Sequence, residues 1–285
     1  MKVLVTGGAG FVGTNLIKKL LELGHEVYSI DNYETGTTKN HQPGCTYYDV
    51  DVNDIQYEDL TNTKFDLIYH LAGLSRIQPS FKNPRETFIA NTCGTEAICE
   101  YARLTGAKLI YAGSSSKHHN PYQSPYATYK YLGEELCKMY RLTYNMDIDI
   151  VRFYNVYGPY EFVDSDWAAV IGIWRRQTRD QLPLTIVGDG EQRRDFTHVI
   201  DIVDALIRLI DNTFKVDDAW ELGAGQNYSI NQVASWFVKY AGATVKHVPD
   251  QPGNYRETIR ETDIALDQLG WEPQDRLEEY IKSLY

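Results

Sequence analysis

In the first half of the chain, short apolar runs alternate with longer stretches in which apolar residues recur every third or fourth position. Lys2–Thr6 (KVLVT), Glu26–Ile30 (EVYSI), Asp66–Leu71 (DLIYHL), Lys108–Ala112 (KLIYA) and Ile148–Phe153 (IDIVRF) read as buried strands. Between the first two, Phe11, Val12, Leu16, Leu20 and Leu23 fall at helical spacing, and Gly24 follows where a left-handed residue ends a helix. The same periodicity predicts helices over approximately Pro84–Arg103 and Pro125–Tyr144. Strands that alternate with helices of this length form βαβ units, and therefore a parallel sheet covered on both faces. The expected fold is α/β, a Rossmann-type doubly wound parallel sheet.

After Tyr157 the texture changes. Gly158-Pro159 breaks the pattern, and turns at Gly188-Asp189-Gly190, Gly223-Ala224-Gly225 and Gln251-Pro252-Gly253 separate shorter elements. These predict a smaller C-terminal α/β domain, with some segments returning to the first. The expected division places 1–156 and about 192–222 in the larger domain, and about 157–191 and 223–285 in the smaller one. No internal repeat or low-complexity tract interrupts either half.

Composition narrows the classes of function. With 285 residues, 43% hydrophobic and 24% charged, the chain can bury a sizeable core without covalent staples. A net charge of −11 argues against general nucleic-acid binding and against a basic membrane-surface patch. An anionic substrate would need a local cluster of arginines. Cys45, Cys93, Cys99 and Cys137 lack metal-type spacing, so no metal site is expected; Cys93 and Cys99 fall in a predicted helix, where cysteine acts as a small buried hydrophobe. A reducing cytoplasm is the expected compartment. With strand-like residues beginning at Lys2, no signal peptide is expected, and no apolar run reaches the roughly 18–20 residues of a membrane span.

Thr6-Gly7-Gly8-Ala9-Gly10-Phe11-Val12-Gly13 satisfies both G-x-G-x-x-G and G-x-x-G-x-x-G. Glycine-rich turns are common, but this one lies between a predicted strand and an amphipathic helix, the context that a dinucleotide loop requires. Gly7, Gly10 and Gly13 would let the backbone approach a pyrophosphate, with Phe11 and Val12 opening the helix whose N–H groups face it. Asp31 ends the second strand, where a carboxylate accepts both adenosine ribose hydroxyls and repels a 2′-phosphate. The cofactor implied is NAD.

Tyr126-Ala-Thr-Tyr-Lys130 opens a helix after Ser124-Pro125. A spacing of four places phenol and ammonium on one helical face. A nearby cation would favour the phenolate and fit the tyrosine for proton transfer at neutral pH. With 22 tyrosines in the chain, Y-x-x-x-K alone is weak. It gains specificity downstream of a dinucleotide loop and after a strand that runs into Gly113-Ser114-Ser115-Ser116, where one serine can hold the reacting hydroxyl or ketone.

Together these features resemble the extended short-chain dehydrogenase/reductase family, and within it the nucleotide-sugar epimerases and dehydratases, over essentially the whole chain. Asp31-Asn32 with Thr35-Gly36 is similar to the family stretch after the second strand. Asp51-Val52 matches its adenine-contacting pair. His70-Leu71-Ala72-Gly73-Leu74 resembles the run of UDP-galactose 4-epimerases whose backbone lines NAD, and Asn91-Thr-Cys-Gly-Thr95 looks like the family's N-x-x-G-T helix. The resemblance thereby implies Asn32, Asp51, Val52, Leu71, Ala72, Gly73 and Asn91 as cofactor residues beside the glycine loop, Asp31, Tyr126 and Lys130. Arg152-Phe-Tyr-Asn155-Val-Tyr-Gly-Pro159 is similar to a segment whose Asn touches the sugar nucleotide. Gly188-Asp-Gly through Arg194-Asp195-Phe and Pro252-Gly253 through Arg256-Glu-Thr258 resemble two segments that read the diphosphate. Substrate contacts are thereby implied for Ser75, Ser115, Ser116, Asn155, Arg194 and Arg256, the two arginines supplying the charge that the overall balance lacks.

The sequence departs from the family between Ser115 and Tyr126, where about two dozen residues usually stand and this segment is cut short. Alignment backward from Ser124-Pro125-Tyr126 puts Ser115 at the catalytic hydroxyl position, with Ser114 and Ser116 as alternatives. Ser116-Lys117 replaces the Asp-Glu of 4,6-dehydratases, which disfavours water elimination; some 3,5-epimerases carry cysteine at the position of Lys117. The resemblance implies an NAD-dependent nucleotide-sugar 4-epimerase, with UDP-hexose favoured, that passes through a 4-keto sugar. Tyr126 would act as base, Lys130 would lower its pKa and hold the nicotinamide ribose, and Ser115 would orient the hydroxyl. A dehydratase, decarboxylase or 3,5-epimerase of the same family is the alternative, and a non-catalytic NAD sensor a remote one; an NADPH-linked reductase is opposed by Asp31. The family also implies a homodimer through a four-helix bundle, with Leu132, Leu136 and Met139 on the seam unless they serve the intramolecular core.

Overall fold

The computed structural model describes residues 1–57, 60 and 63–285. Strands β1 (Lys2–Thr6), β2 (Glu26–Asp31), β3 (Thr46–Asp49), β4 (Leu67–His70), β5 (Lys108–Ser114) and β6 (Ile148–Phe153) enter one sheet. Beyond them come β7 (Val156–Tyr157), β8 (Leu184–Val187), β9 (Arg193–Asp195), β10 (Thr197–His198), β11 (Trp220–Leu222), β12 (Asn227–Ser229) and β13 (Val245–Val248). The large sheet has the order β11-β6-β5-β4-β1-β2-β3, parallel throughout. Val3, Leu4 and Val5 are fully buried, so β1 is covered on both faces, as its unbroken apolar run requires.

The helices are α1 (Phe11–Glu22), α2 (Ile77–Lys82), α3 (Pro84–Phe88), α4 (Gly94–Thr105), α5 (Pro125–Tyr144), α6 (Val170–Arg179), α7 (Val199–Arg208), α8 (Ile230–Ala241), α9 (Ile264–Leu269) and α10 (Leu277–Ser283). On one face of the sheet, Leu16, Ile17 and Leu20 of α1 join Ile202 and Leu206 of α7 around Trp220. On the other, Ile98 and Ala102 of α4 meet Cys137 and Tyr140 of α5. Each aliphatic side chain buried in these layers contributes roughly 1.5–3 kcal/mol. The helix expected over Pro84–Arg103 is three segments, because Ile89–Cys93 widens into a π-turn between α3 and α4. Such turns commonly stand at functional sites; this one carries Asn91 inward.

A smaller region pairs β8 with β13 and β9 with β12, and packs α6, α8 and α10 around Trp174, Phe237 and Ile281. The expected boundaries shift in two places. Residues 192–198 belong with the smaller region, since β9 pairs with β12 and Phe196 enters its core, and the return to the large sheet begins at α7. Conversely Ala265, Leu269 and Trp271 bury against the large sheet's core. The Trp271 indole N–H donates to the Asp201 carbonyl of α7 at 2.8 Å, fixing that C-terminal segment to the first region. Among the described residues, no helix is long and apolar enough to cross a membrane, and no group of ligating side chains is placed to hold a metal.

Candidate active site

The carboxyl ends of the parallel strands open into a cavity of about 700 Å³. One end is built by the β1–α1 turn. Gly7 has φ +70° and lies so close to the next strand's loop that a Cβ there would come 2.8 Å from the Ala72 amide nitrogen. A Cβ on Gly13 would fall against the Gly7 carbonyl oxygen and 2.7 Å from Gly8 Cα. Only glycine fits these positions. Gly10 caps α1 without a side-chain hydrogen bond, and the first turn of α1 carries no acid. Its free N–H groups and dipole therefore suit a phosphate.

Asp31 ends β2 at the cavity edge. Its carboxylate accepts from the Ala9 and Tyr33 amides, both at 2.9 Å, and burial raises its pKa against those hydrogen bonds. Beside it, Asn32 Nδ2 donates to Asp51 Oδ2 at 2.8 Å. Gly7, Gly10, Phe11, Val12, Gly13, Asp31, Asn32, Asp51, Val52, Leu71, Ala72 and Gly73 all line the cavity. Asn91 does not. It is buried behind the wall, accepting from the Leu74 amide at 2.8 Å and donating to the Leu74 carbonyl at 2.9 Å. This clasp shapes the loop that forms the cavity side. A cradle that excludes Cβ atoms, an open helix start and a ribose-directed carboxylate fit a bound NAD.

Tyr126 and Lys130 come from the first turns of α5, which Ser124 caps through its hydroxyl on the Ala127 amide and Pro125 starts at its first position. The Tyr126 hydroxyl donates to Ser114 Oγ at 3.2 Å. This corrects the sequence reading: the serine within reach of the phenol is Ser114, the last residue of β5, and not Ser115. Strand β5 runs on past Ala112 to Ser114, so Ser115 already belongs to the 3₁₀ turn that follows. Ser115 and Ser116 still line the cavity.

Burial raises the Tyr126 pKa, while the Ser114 hydrogen bond and the Arg76 guanidinium lower it again. The Arg76 guanidinium is thus a cation that favours the phenolate. The Lys130 ammonium donates to the Ala112 carbonyl at 2.9 Å; burial pushes it down to about 8, against the pull of Glu134.

Lys117, His118 and His119 build the shortened loop. Lys117 pairs with Asp218 at 2.8 Å and His118 with Glu221 at 2.8 Å, while His119 stacks on Tyr255 with ring centroids 3.9 Å apart. Beneath them Arg152 is buried between Glu134, Glu221 and Asp218, at 2.7, 2.8 and 2.7 Å. Glu134 Oε1 also accepts from the Ser114 amide at 3.2 Å, which ties this cluster to the serine.

Ser75, Asn155 and Arg194 line the cavity. Asn155 Nδ2 also donates to the Asp195 carbonyl at 3.1 Å. Arg194 donates to the Arg193 carbonyl at 2.8 Å and to Asn254 Oδ1 at 2.6 Å, and burial pushes its pKa down to about 10. Arg256 does not reach the cavity. Its side chain is 67% exposed and paired with Asp189 at 2.9 Å, because its backbone is held by the Arg193 amide while the side chain points to solvent. Sequence reasoning missed Arg76, whose Nε donates to the Trp167 carbonyl at 2.8 Å from inside the cavity wall. A lone arginine after a loop motif carries no signal of that placement.

A doubly wound parallel sheet, a dinucleotide cradle at its carboxyl edge and a Tyr–Ser–Lys constellation in the same cavity define a nicotinamide-dependent enzyme that works on a hydroxyl-bearing substrate. Residues 3–223 match the model of the NAD dependent epimerase/dehydratase family. A putative UDP-glucose 4-epimerase of Methanocaldococcus jannaschii is 31% identical, covering 98% of this chain and 96% of that protein. The crystal structure of a Thermotoga maritima UDP-glucose 4-epimerase with UDP-glucose superposes with a TM-score of 0.92 at 26% identity, covering 99% of this chain and 96% of that one. A Bacillus cereus UDP-glucuronic acid 4-epimerase, solved with UDP-glucuronic acid and NAD, gives 0.89 at 27% identity over the whole of both chains. The chain belongs to the NAD-dependent epimerase/dehydratase family. It is an NAD-dependent enzyme.

Proposed function

We propose that the reaction is inversion at C4 of a six-carbon sugar carried on UDP. The observation that carries this reading is the Tyr126–Ser114 pair, set at 3.2 Å in the same cavity as the glycine cradle and Arg194. NAD, when bound, supplies the acceptor and donor of hydride for the sugar carbon. Tyr126 takes the proton from the C4 hydroxyl and returns it after the sugar has turned over, which is general base and then general acid work. Ser114 Oγ holds the same oxygen in line with the phenol. Lys130 would hold the nicotinamide ribose, and Arg194, whose terminal nitrogens are positioned by the Arg193 carbonyl and Asn254, would read the diphosphate with its remaining N–H groups. A 4,6-dehydratase would need an acid pair after the serine, and Ser115-Ser116 follow Ser114 here.

The working form is proposed to be a homodimer through a four-helix bundle, in the cytoplasm. Leu132 and Met139 on α5 are exposed and Leu136 is half-buried, while Phe88 and Ile89 are exposed as well, which supports a seam on this side of the molecule. All four cysteines are free, which suits a reducing compartment. The test is to offer the purified protein a panel of UDP-, dTDP-, GDP- and CDP-sugars without added cofactor and to resolve the C4 epimers by chromatography. Inversion of UDP-sugars supports the reading; loss of water or CO₂ from every substrate turned over, with no C4 epimer formed, would overturn it.

A further inference from the structure

Three basic side chains line the cavity: Lys130, Arg194 and Arg76. Lys130 is engaged on the Ala112 carbonyl, and Arg194 carries the charge that a diphosphate requires. Arg76 has no counterpart in that account. Its Nε is fixed on the Trp167 carbonyl at 2.8 Å, which orients the guanidinium plane and leaves both terminal nitrogens without a hydrogen-bond partner among the described residues. No carboxylate among the described residues lies within 4.0 Å of it. Buried Glu161, whose charge acts on it, is already committed to Arg175 at 3.0 Å and Tyr280 at 3.2 Å. Arg76 immediately precedes α2, whose Ser80 hydroxyl accepts from the Tyr126 amide at 3.1 Å, and Arg76 and Tyr126 both line the cavity, so Arg76 stands at the Tyr126 end, where the sugar lies.

A desolvated guanidinium with one edge fixed and one edge free is built to take a planar anion through two parallel hydrogen bonds. Keeping such a cation unpaired in the wall is costly unless a ligand neutralises it. A diphosphate belongs to Arg194, so the second anion must be on the sugar, next to the carbon whose oxygen meets Tyr126. We infer that Arg76 binds a carboxylate at the sugar's C6, and that the preferred substrate is a nucleotide-linked hexuronate rather than a neutral hexose. This inference rests on the C4-epimerase reading for its placement of the sugar.

The experiment measures binding and turnover separately. Isothermal titration of the Tyr126→Phe holoenzyme with UDP-glucuronate and with UDP-glucose reads recognition without chemistry. The hexuronate should bind at least about tenfold more tightly, the worth of one charge-assisted pair. In the Tyr126→Phe/Arg76→Gln protein the ratio should fall to near one, with Arg76→Lys between, because it keeps the charge and loses the fork. Equal affinity for the two sugars in the Arg76-containing protein overturns the inference, and so does an Arg76→Gln change that weakens both alike. The first of these arms stands even if an Arg76 variant fails to fold. Wild-type turnover separates the two claims: C4 inversion of UDP-glucose without hexuronate preference defeats only the carboxylate, whereas hexuronate-selective binding without C4 inversion of either sugar defeats only the epimerase reading.

Discussion

Replacing Arg152 by methionine should destabilise the protein severely, because it empties the centre of a buried charge cluster. Arg152 is 1% exposed and touches Glu134 and Glu221, whose side chains are 1% and 3% exposed. Asp218 is half exposed and keeps Lys117 and Lys138, at 2.8 and 2.7 Å, so it adds little to the loss. Glu134 would retain only Lys117 at 3.9 Å and the Ser114 amide, and Glu221 would retain His118 and Tyr154. Removing one partner of a buried pair typically costs about 3–5 kcal/mol. Since both acids keep some hydrogen bonds, the expected loss is about 3 kcal/mol, or roughly 6 °C in Tm at this chain length. Urea unfolding at several pH values is the assay. Burial alone would raise the Glu221 pKa, but hydrogen bonds from His118, Tyr154 and Arg152 hold it below the ordinary value. The stability it contributes is therefore present above the usual glutamate range, about pH 4.3, and lost as pH falls below it. The gap between wild type and variant should be full at neutral pH and narrow in acid. A loss below about 1 kcal/mol, or a gap that widens in acid, would refute the reasoning.

Gly13→Ala should weaken NAD binding by roughly 10- to 100-fold by calorimetry, since the added carbon meets backbone that cannot yield. Asp31→Ser should raise the NADP-to-NAD affinity ratio at least about tenfold, by removing the charge that opposes a 2′-phosphate. His70, fully buried between Thr6 and Thr95, has its pKa pushed down to about 3 by burial and then by Lys130. Its contribution to stability is complete above pH 6.5 and is lost as pH falls toward 3, at up to about 1.4 kcal/mol per unit. His70→Gln should flatten the acid limb of the stability–pH curve; an unchanged slope would contradict the assignment.

Local spacing carried most of what the sequence made legible. Strand β6 and helix α5 run over the residues that periodicity and capping residues indicated, because both are decided by near neighbours. The glycine loop and the Tyr126/Lys130 pair were visible for the same reason. Ser114 was not, because the choice among three adjacent serines depends on how far β5 continues once the following loop is shortened. Asn91 was found by motif, yet its role is set by the π-turn that aims it at Leu74. Arg256 matched a pattern and still lies outside, since which of the arginines near β9 faces the cavity is fixed by backbone pairing across distant segments. Arg76 owes its placement to a carbonyl on Trp167, 91 positions along the chain, and no sequence pattern announces such a contact.

The most direct test of the account is single-turnover C4 inversion by the Tyr126→Phe protein, with NAD content and nucleotide-sugar affinity measured on the same sample. The phenol is predicted to be the group that moves the C4 proton, so inversion should fall by about 10²–10⁴-fold while NAD and sugar nucleotide stay bound. Inversion within about tenfold of wild type, in a variant that still holds its cofactor, would contradict the central claim.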